Sequence, residues 1–465
     1  MTVEKEKKLD EVNITGYAHD GAGVGRVGGQ VIFVPGALAG EKVLVEIKEG
    51  RKGVLRGTVQ EVLFPAKERQ TPACRLFPQC GGCQLQHVSY PGQLAIKEQI
   101  VRQALERIGG FKEVGVRPVL GMKKPWGYRN KGHFQVGYDR REERIKLGFF
   151  AEGSHALVQG SCRHLFSPRV TSLLVYLEEL LTAFRVKVED VDKVNNVNAG
   201  AFTPGLRHLL IRESKANDEI LVVFIYSGKY CDEIEDISRE IVRQYPEVVG
   251  ICQSENKKKG GPVLGNKVEI LWGRDWLEEQ IGPFTFRSSP ASFLQINSIQ
   301  TTVLYNQVLQ YAALSGAEEI VDTYCGIGTI SLFLAQKAKK VTGIEIVPEA
   351  IVDAQKNAER NRVSNVEFKQ GKAERLLPEM VVQGIRPEVV IVDPPRKGCD
   401  RRLLEAIITV KPQRVVYVSC NPSTLARDLR ILADGGYLLR EVQPVDMFPQ
   451  TGHVETVVLI SRVDK

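Results

Sequence analysis

Between residue 10 and about residue 65 apolar and polar side chains alternate, with breaks at Gly21-Ala22-Gly23, Gly28-Gly29 and Pro35-Gly36. Period-two runs such as Gln30-Val31-Ile32-Phe33-Val34 and Lys42-Val43-Leu44-Val45-Glu46-Ile47, separated by turn residues, predict a small all-β barrel. Helical periodicity follows over 92–110. Trp126 to Tyr138 then reads as a strand, Arg140 to Arg144 as its turn, and Ile145 to Phe150 as the returning strand. Amphipathic helices over 166–185 and 232–245 flank the apolar strand Glu219 to Ile225, so the middle of the chain is expected to be α+β. From about residue 284 the period changes again and again. A helix over 299–314 precedes the strand at Glu319 to Asp322, which runs into Gly326 and Gly328 and a helix over 329–338. Further strands are expected at 340–344, 366–368, 389–392 and 414–419, with Pro348 opening another helix. That alternation predicts a doubly wound, Rossmann-like α/β sheet. Three domains follow: a barrel over 1–68, an α+β domain over 69–283 and an α/β domain over 284–465, with the helix near 92–122 packing on the last.

Composition adds little to this outline, but charge adds something. With 43% hydrophobic and 26% charged residues in 465, the chain is globular rather than disordered. No run approaches 18 apolar residues and MTVEKEKKLDEV has no apolar signal core, so a cytoplasmic protein with no membrane partner is expected. The net charge of +7 is concentrated: residues 71–170 carry 16 Lys/Arg against 7 Asp/Glu. Such a local excess suits a polyanion, and the aromatic residues among the cations of 126–150 suit single-stranded RNA, with rings for bases and guanidinium groups for phosphates.

Nine cysteines in a cytoplasmic chain point to metal or catalysis rather than disulfides. Cys74, Cys80 and Cys83 follow a C-x5-C-x2-C pattern on a Pro/Gly loop, and Cys162 stands much later. Four soft sulfur ligands suit an iron–sulfur cluster or a structural zinc equally.

The remaining chemistry lies in loops after buried strands, where open α/β sheets bind ligands. The glycines of the first such turn, and Glu345 19 residues past Gly326, suit a cofactor with a ribose. Ser331 stands where a dinucleotide fingerprint needs a third glycine, which favours S-adenosylmethionine over NAD. Asp393-Pro394-Pro395 walls a slot for a flat substrate. Cys420, at the end of an apolar strand and before Asn421-Pro422, reads as a nucleophile as well as a small core residue. Glu455 reads as a base as well as a solvated loop carboxylate.

Asp393-Pro394-Pro395-Arg396-Lys397-Gly398, Tyr417 to Thr424 with Cys420 inside it, and Asp446-Met447-Phe448-Pro449-Gln450-Thr451-Gly452-His453-Val454-Glu455 resemble the two signatures of the RNA (uracil-C5)-methyltransferase family. The resemblance extends over most of the chain. Its barrel resembles an OB-like TRAM domain, and Cys74, Cys80, Cys83 and Cys162 resemble the [4Fe-4S] ligands of the 23S ribosomal RNA branch. The resemblance implies that Gln295, Tyr324, Glu345 and Asp393 contact S-adenosylmethionine, that Cys420 attacks uracil and that Glu455 removes a proton. Thr329 stands where some members carry Asn. The implied activity is methylation of carbon 5 of uridine in 23S ribosomal RNA by a monomer.

Overall fold

The computed structural model describes residues 8–49, 53–154, 156–160, 162, 164–189, 204–228, 232–258 and 262–463. Residues 1–7 of the expected barrel segment, and Ser161 and Arg163 beside Cys162, lie outside the described residues. Among the described residues no helix is long and apolar enough to cross a membrane.

Strands β1 (Leu9–Tyr17), β2 (Gly23–Val27), β3 (Gln30–Val34), β4 (Lys42–Glu49) and β5 (Leu55–Phe64) close into a barrel in the order β1-β2-β3-β5-β4. Antiparallel β1–β4 pairing completes the ring, and β3 pairs parallel with β5. The alternation in β1 places Val12 and Ile14 inside, against Ile32, Val34, Val43 and Val45. Gly25 is required there, because a Cβ would lie 2.4 Å from the Val12 side chain.

Helix α1 (Tyr90–Arg107) follows, with Ser89 as its N-cap and Pro91 in its first turn. Its apolar positions Val101, Ala104 and Leu105 join a core on the C-terminal sheet. The second sheet has the order β12-β11-β10-β9-β6-β7-β8: β6 (Lys131–Asp139), β7 (Arg144–Phe150), β8 (Leu157–Gln159), β9 (Leu206–Ser214), β10 (Glu219–Tyr226), β11 (Val248–Glu255) and β12 (Val268–Gly273). Helices α2 (Pro168–Ala183) and α3 (Ile234–Gln244) pack on one face of it. The strand expected from residue 126 begins only at Lys131. Before it, the N–H groups of Gly127, Arg129 and Asn130 donate to the carbonyls of His164, Leu165 and Ile296, so that stretch is held as a loop by two distant segments.

The hairpin β13 (Leu277–Ile281) and β14 (Phe284–Ser288) turns at Gly282, so the boundary expected after residue 283 falls inside a hairpin. Ile281, Phe284 and Phe286 pack in the core of the last domain. There β15 (Glu319–Asp322), β16 (Lys340–Glu345), β17 (Val366–Gln370), β18 (Val389–Val392), β19 (Arg414–Ser419), β20 (Tyr437–Val445) and β21 (Glu455–Arg462) form one sheet in the order β17-β16-β15-β18-β19-β21-β20. Helices α4 (Ser298–Ala312), α5 (Thr329–Ala335), α6 (Pro348–Arg360), α7 (Ala373–Val382), α8 (Arg401–Val410) and α9 (Pro422–Asp434) accompany it. Val389 to Val392 are all buried, as a parallel strand covered on both faces should be. The last strand runs against this parallel pattern: β21 is antiparallel and inserts between β19 and β20.

Candidate active site

At the carboxyl ends of β15, β16, β18 and β19 lies a cavity of about 850 Å³, lined by Gln295, Tyr324, Glu345, Asp393, Cys420 and Glu455 together. Each arrives from a different loop. The turn after β15 has Gly326 and Gly328 in the left-handed region, φ +53° and +85°, and a Cβ at Gly328 would lie 2.8 Å from the Phe368 ring. Glu345 ends β16; its carboxylate accepts the Gly326 N–H at 3.2 Å and those of Ile346 and Val347 at 2.7 and 2.9 Å. Thr329, also on the wall, shares a hydrogen bond of 2.9 Å with the Tyr305 hydroxyl. Phe293 stands at the cavity 74% exposed.

Gln295 precedes α4, and its backbone is held from the second sheet. Asn130 Nδ2 donates to the Gln295 carbonyl at 3.1 Å, and the Asn130 N–H donates to that of Ile296 at 2.9 Å. Nothing in the local sequence marks Asn130 for this role; only the meeting of two domains does.

At the other end of the cavity, β19 and β21 pair Ser419 with Thr456. Extending that antiparallel register by one residue sets Cys420 opposite Glu455, close enough for the Glu455 charge to act on the thiol. Asn421 caps α9 by accepting the Ser423 N–H at 3.0 Å, and its Nδ2 donates to the Arg396 carbonyl at 3.1 Å. This ties the Asp393-Pro394-Pro395-Arg396 loop to the cysteine loop. The sequence offered Arg396 only as part of a motif, and the structure turns it toward the reactive groups.

The electrostatics follow from crowding acids in a dry cavity. Burial, then the Asp393 charge, pushes the Glu455 carboxyl up to about 8, opposed by Arg396. Burial and then Asp322 push Asp393 up to about 7. Burial, Glu455 and Asp393 push the Cys420 thiol up to about 11, again opposed by Arg396. Burial and the Arg396 charge push His453 down to about 4, so it is neutral at pH 7.

Cys74, Cys80, Cys83 and Cys162 do not line this cavity. They are free thiols close enough to perturb one another: the Cys74 charge raises Cys80, and those of Cys162 and Cys80 raise Cys83. The Gly82 N–H donates to Cys80 Sγ at 3.4 Å, and the nearby Arg129 has a buried Nε with no partner. Among the described residues no group of three or more Cys, His, Asp or Glu is placed to hold a metal ion. Four thiols this close together beside a buried cation are the donor chemistry that a thiolate-bound metal group requires.

Comparison with known proteins identifies the family. A family model described as tRNA (Uracil-5-)-methyltransferase matches residues 218–463, and a TRAM domain model matches 8–60. The chain is 45% identical over 465 residues to a Bacillus cereus protein described as an uncharacterized RNA methyltransferase, covering 100% of this chain and 98% of the relative. It is 44% identical over 450 residues to one from Halalkalibacterium halodurans with the same description, covering 97% and 96%. The structure of Pyrococcus abyssi tRNA (uracil-54, C5)-methyltransferase in complex with S-adenosyl-L-homocysteine superposes with a TM-score of 0.75 at 29% identity, covering 97% of this chain and 99% of that one.

Proposed function

Because the chain belongs to the tRNA (uracil-5-)-methyltransferase family and is an RNA methyltransferase, we propose that it methylates carbon 5 of specific uridines in 23S ribosomal RNA, acting in the cytoplasm. The observation that carries the chemistry is the placing of Cys420 opposite Glu455 at the ends of adjacent strands, in the same cavity as Asp393, Gln295, Tyr324 and Glu345. Glu345 holds the ribose of the methyl donor, and Gln295, Tyr324 and Asp393 complete its pocket. The uracil leaves its stack to enter between Asp393-Pro394-Pro395 and the Cys420 loop.

Carbon 5 of uracil is too weak a nucleophile to be methylated directly. Cys420 Sγ, as thiolate, bonds to carbon 6, and the 5,6 π pair moves toward the carbonyl at carbon 4, which makes carbon 5 electron-rich. Arg396 opposes the burial that keeps the thiol protonated. S-adenosylmethionine, when bound, supplies an electrophilic methyl carbon to carbon 5 and departs as S-adenosylhomocysteine. Glu455 then takes the proton from carbon 5, the C–H pair re-forms the double bond, and the C6–S pair returns to Cys420. A well-placed base contributes about 10²–10⁴-fold.

Cys74, Cys80, Cys83 and Cys162 would hold a [4Fe-4S] cluster, which has no place in these steps and shapes the basic central domain. That cysteine set is what favours ribosomal RNA. The Pyrococcus abyssi structure, which acts on transfer RNA by its name, favours a second reading in which transfer RNA is the substrate. Mapping 5-methyluridine in both RNAs from cells with and without the gene tests the assignment. Loss of the base from a 23S position supports ribosomal RNA; loss confined to transfer RNA overturns it.

A further inference from the structure

Glu455 directly follows the loop Asp446–Val454, and that loop is fastened from outside its own domain. Three residues on one face of α1, spaced by three and four, reach it. The Tyr90 hydroxyl donates to the Asp446 carboxylate at 2.8 Å, and Lys97 Nζ donates to it at 2.5 Å, with both the Lys97 and Asp446 side chains 0% exposed. Between them Gln93, also fully buried, makes a two-way amide bridge. Its Nε2 donates to Gln450 Oε1 at 2.9 Å, and its Oε1 accepts the Gln450 N–H at 2.9 Å. Gln450 is a non-glycine residue with φ +71°, and its side chain is buried. A backbone in that region persists only where its surroundings over-determine it, and such strain gathers at functional loops. Here the surroundings are Gln93 and the N–H groups of Gln84 and Leu85, which donate to the Gln450 carbonyl at 3.0 and 2.9 Å.

We propose that Gln93 is a positioning residue for the proton-removal step: it holds Gln450 in its left-handed conformation and so sets where Glu455 enters the cavity. The inference rests on the reading of Glu455 as the base. No hydrogen bond links Gln93 to the Asp393-Pro394-Pro395 loop, to Cys420 or to Gln295. Loss of Gln93 therefore spares the formation of the C6–S bond and the methylation of carbon 5. It slows only the step in which Glu455 takes the carbon 5 proton, the C–H pair re-forms the double bond and the C6–S pair returns to Cys420. A destabilised fold would slow every step alike; a misplaced base stalls the reaction at the methylated covalent adduct.

The test compares wild-type enzyme, Gln93→Leu, Gln93→Glu, Glu455→Gln and Leu105→Ala, using an RNA oligonucleotide methylated by the wild type. Leu105 lies further along the same helix and has no bond to the loop. Gln93→Leu is expected to lower kcat about 10²-fold, as a shift of about 1 Å in a reacting group does, with KM for RNA and donor within about threefold. It should also accumulate a heat-stable enzyme–RNA band on a denaturing gel, as Glu455→Gln does, while Leu105→Ala shows a lowered melting temperature and no such band. At pH 6 the protonated carboxyl of Gln93→Glu can donate to Gln450 Oε1 and accept the Gln450 N–H, giving up only the bond to the Val88 carbonyl, so turnover should recover at least about tenfold over the leucine variant. If the leucine variant does not fold, Gln450→Ala removes the same side-chain bond from the loop and should give the same band. Wild-type turnover in Gln93→Leu, a raised KM at unchanged kcat, or no band where Glu455→Gln shows one would overturn the role of Gln93 alone. No band in Glu455→Gln would overturn the reading of Glu455, and this inference with it.

Discussion

Replacing Glu455 with Gln should stabilise the ligand-free protein, increasingly so as pH rises from about 4.5 to about 8. The carboxyl is 4% exposed and moves from an ordinary value of 4.5 to about 8 on folding. Because the folded-state value lies above the unfolded one, the group's contribution to stability is fully present below about pH 4.5. It is lost as pH rises through about 8. Ionised at pH 9, the group costs the fold up to about 5 kcal/mol, from 1.36 kcal/mol for each tenfold change in proton affinity. The amide keeps the shape and carries no charge, so it escapes this cost. Between about 2 and 5 kcal/mol of gain at pH 9 corresponds to roughly 5–15 °C in the midpoint of a domain of this size. Thermal unfolding of both proteins at pH 5, 7 and 9 without ligand measures it. The two curves should nearly coincide at pH 5, separate between about pH 5 and 8 with roughly 3 kcal/mol already present at pH 7, and run parallel above that. Equal midpoints at pH 9 would refute the argument, and so would a gain of the same size at pH 5, which would point to packing rather than charge.

Other outcomes follow from the same cavity. Cys420→Ala should abolish turnover while calorimetry still shows the methyl donor binding, because the donor pocket lies on other loops. Asn130→Ala removes the bond to the Gln295 carbonyl and should weaken donor binding by about 0.5–1.5 kcal/mol, or roughly 3–10-fold. The positive sulfonium of S-adenosylmethionine, near Asp393 and Glu455, should favour their charged forms. Donor binding should therefore release protons at pH 7–8, and neutral S-adenosylhomocysteine should release fewer, as read by calorimetry in buffers of different ionisation enthalpy. Cys80→Ala should lose iron and inorganic sulfide from anaerobically purified protein and lower RNA affinity; an unchanged iron content would remove the cluster from this account.

Much of the fold was legible because it is written in local periods. Alternation over 10–65 produced the barrel strands, and apolar tetrads such as Val389–Val392, followed by Pro- or Gly-bearing loops, produced buried parallel strands with ligand loops at their ends. Where local pattern and long-range pairing compete, the pattern misleads. Trp126–Asn130 has strand-like composition, yet its N–H groups bond to 164, 165 and 296, partners that no window of sequence contains. The hairpin at 277–288 likewise hides a domain boundary, because which core its phenylalanines join depends on what lies across from them.

Residue chemistry was readable one loop at a time: a thiol before Asn-Pro, an Asp before two prolines, a Glu at the end of a polar, Pro-containing loop of its own. What brings them together is the antiparallel insertion of β21 between β19 and β20, a choice of strand order that chain order does not specify. The fastening of residues 446–450 by Tyr90, Gln93 and Lys97, some 350 positions earlier, is of the same kind. The sequence by itself determined which groups are present and which segments are strands and helices, since propensity and burial pattern act over a few residues. Only the tertiary structure decided the distances between those groups and the loss of water around them, and these in turn set how readily Cys420 and Glu455 give up their protons.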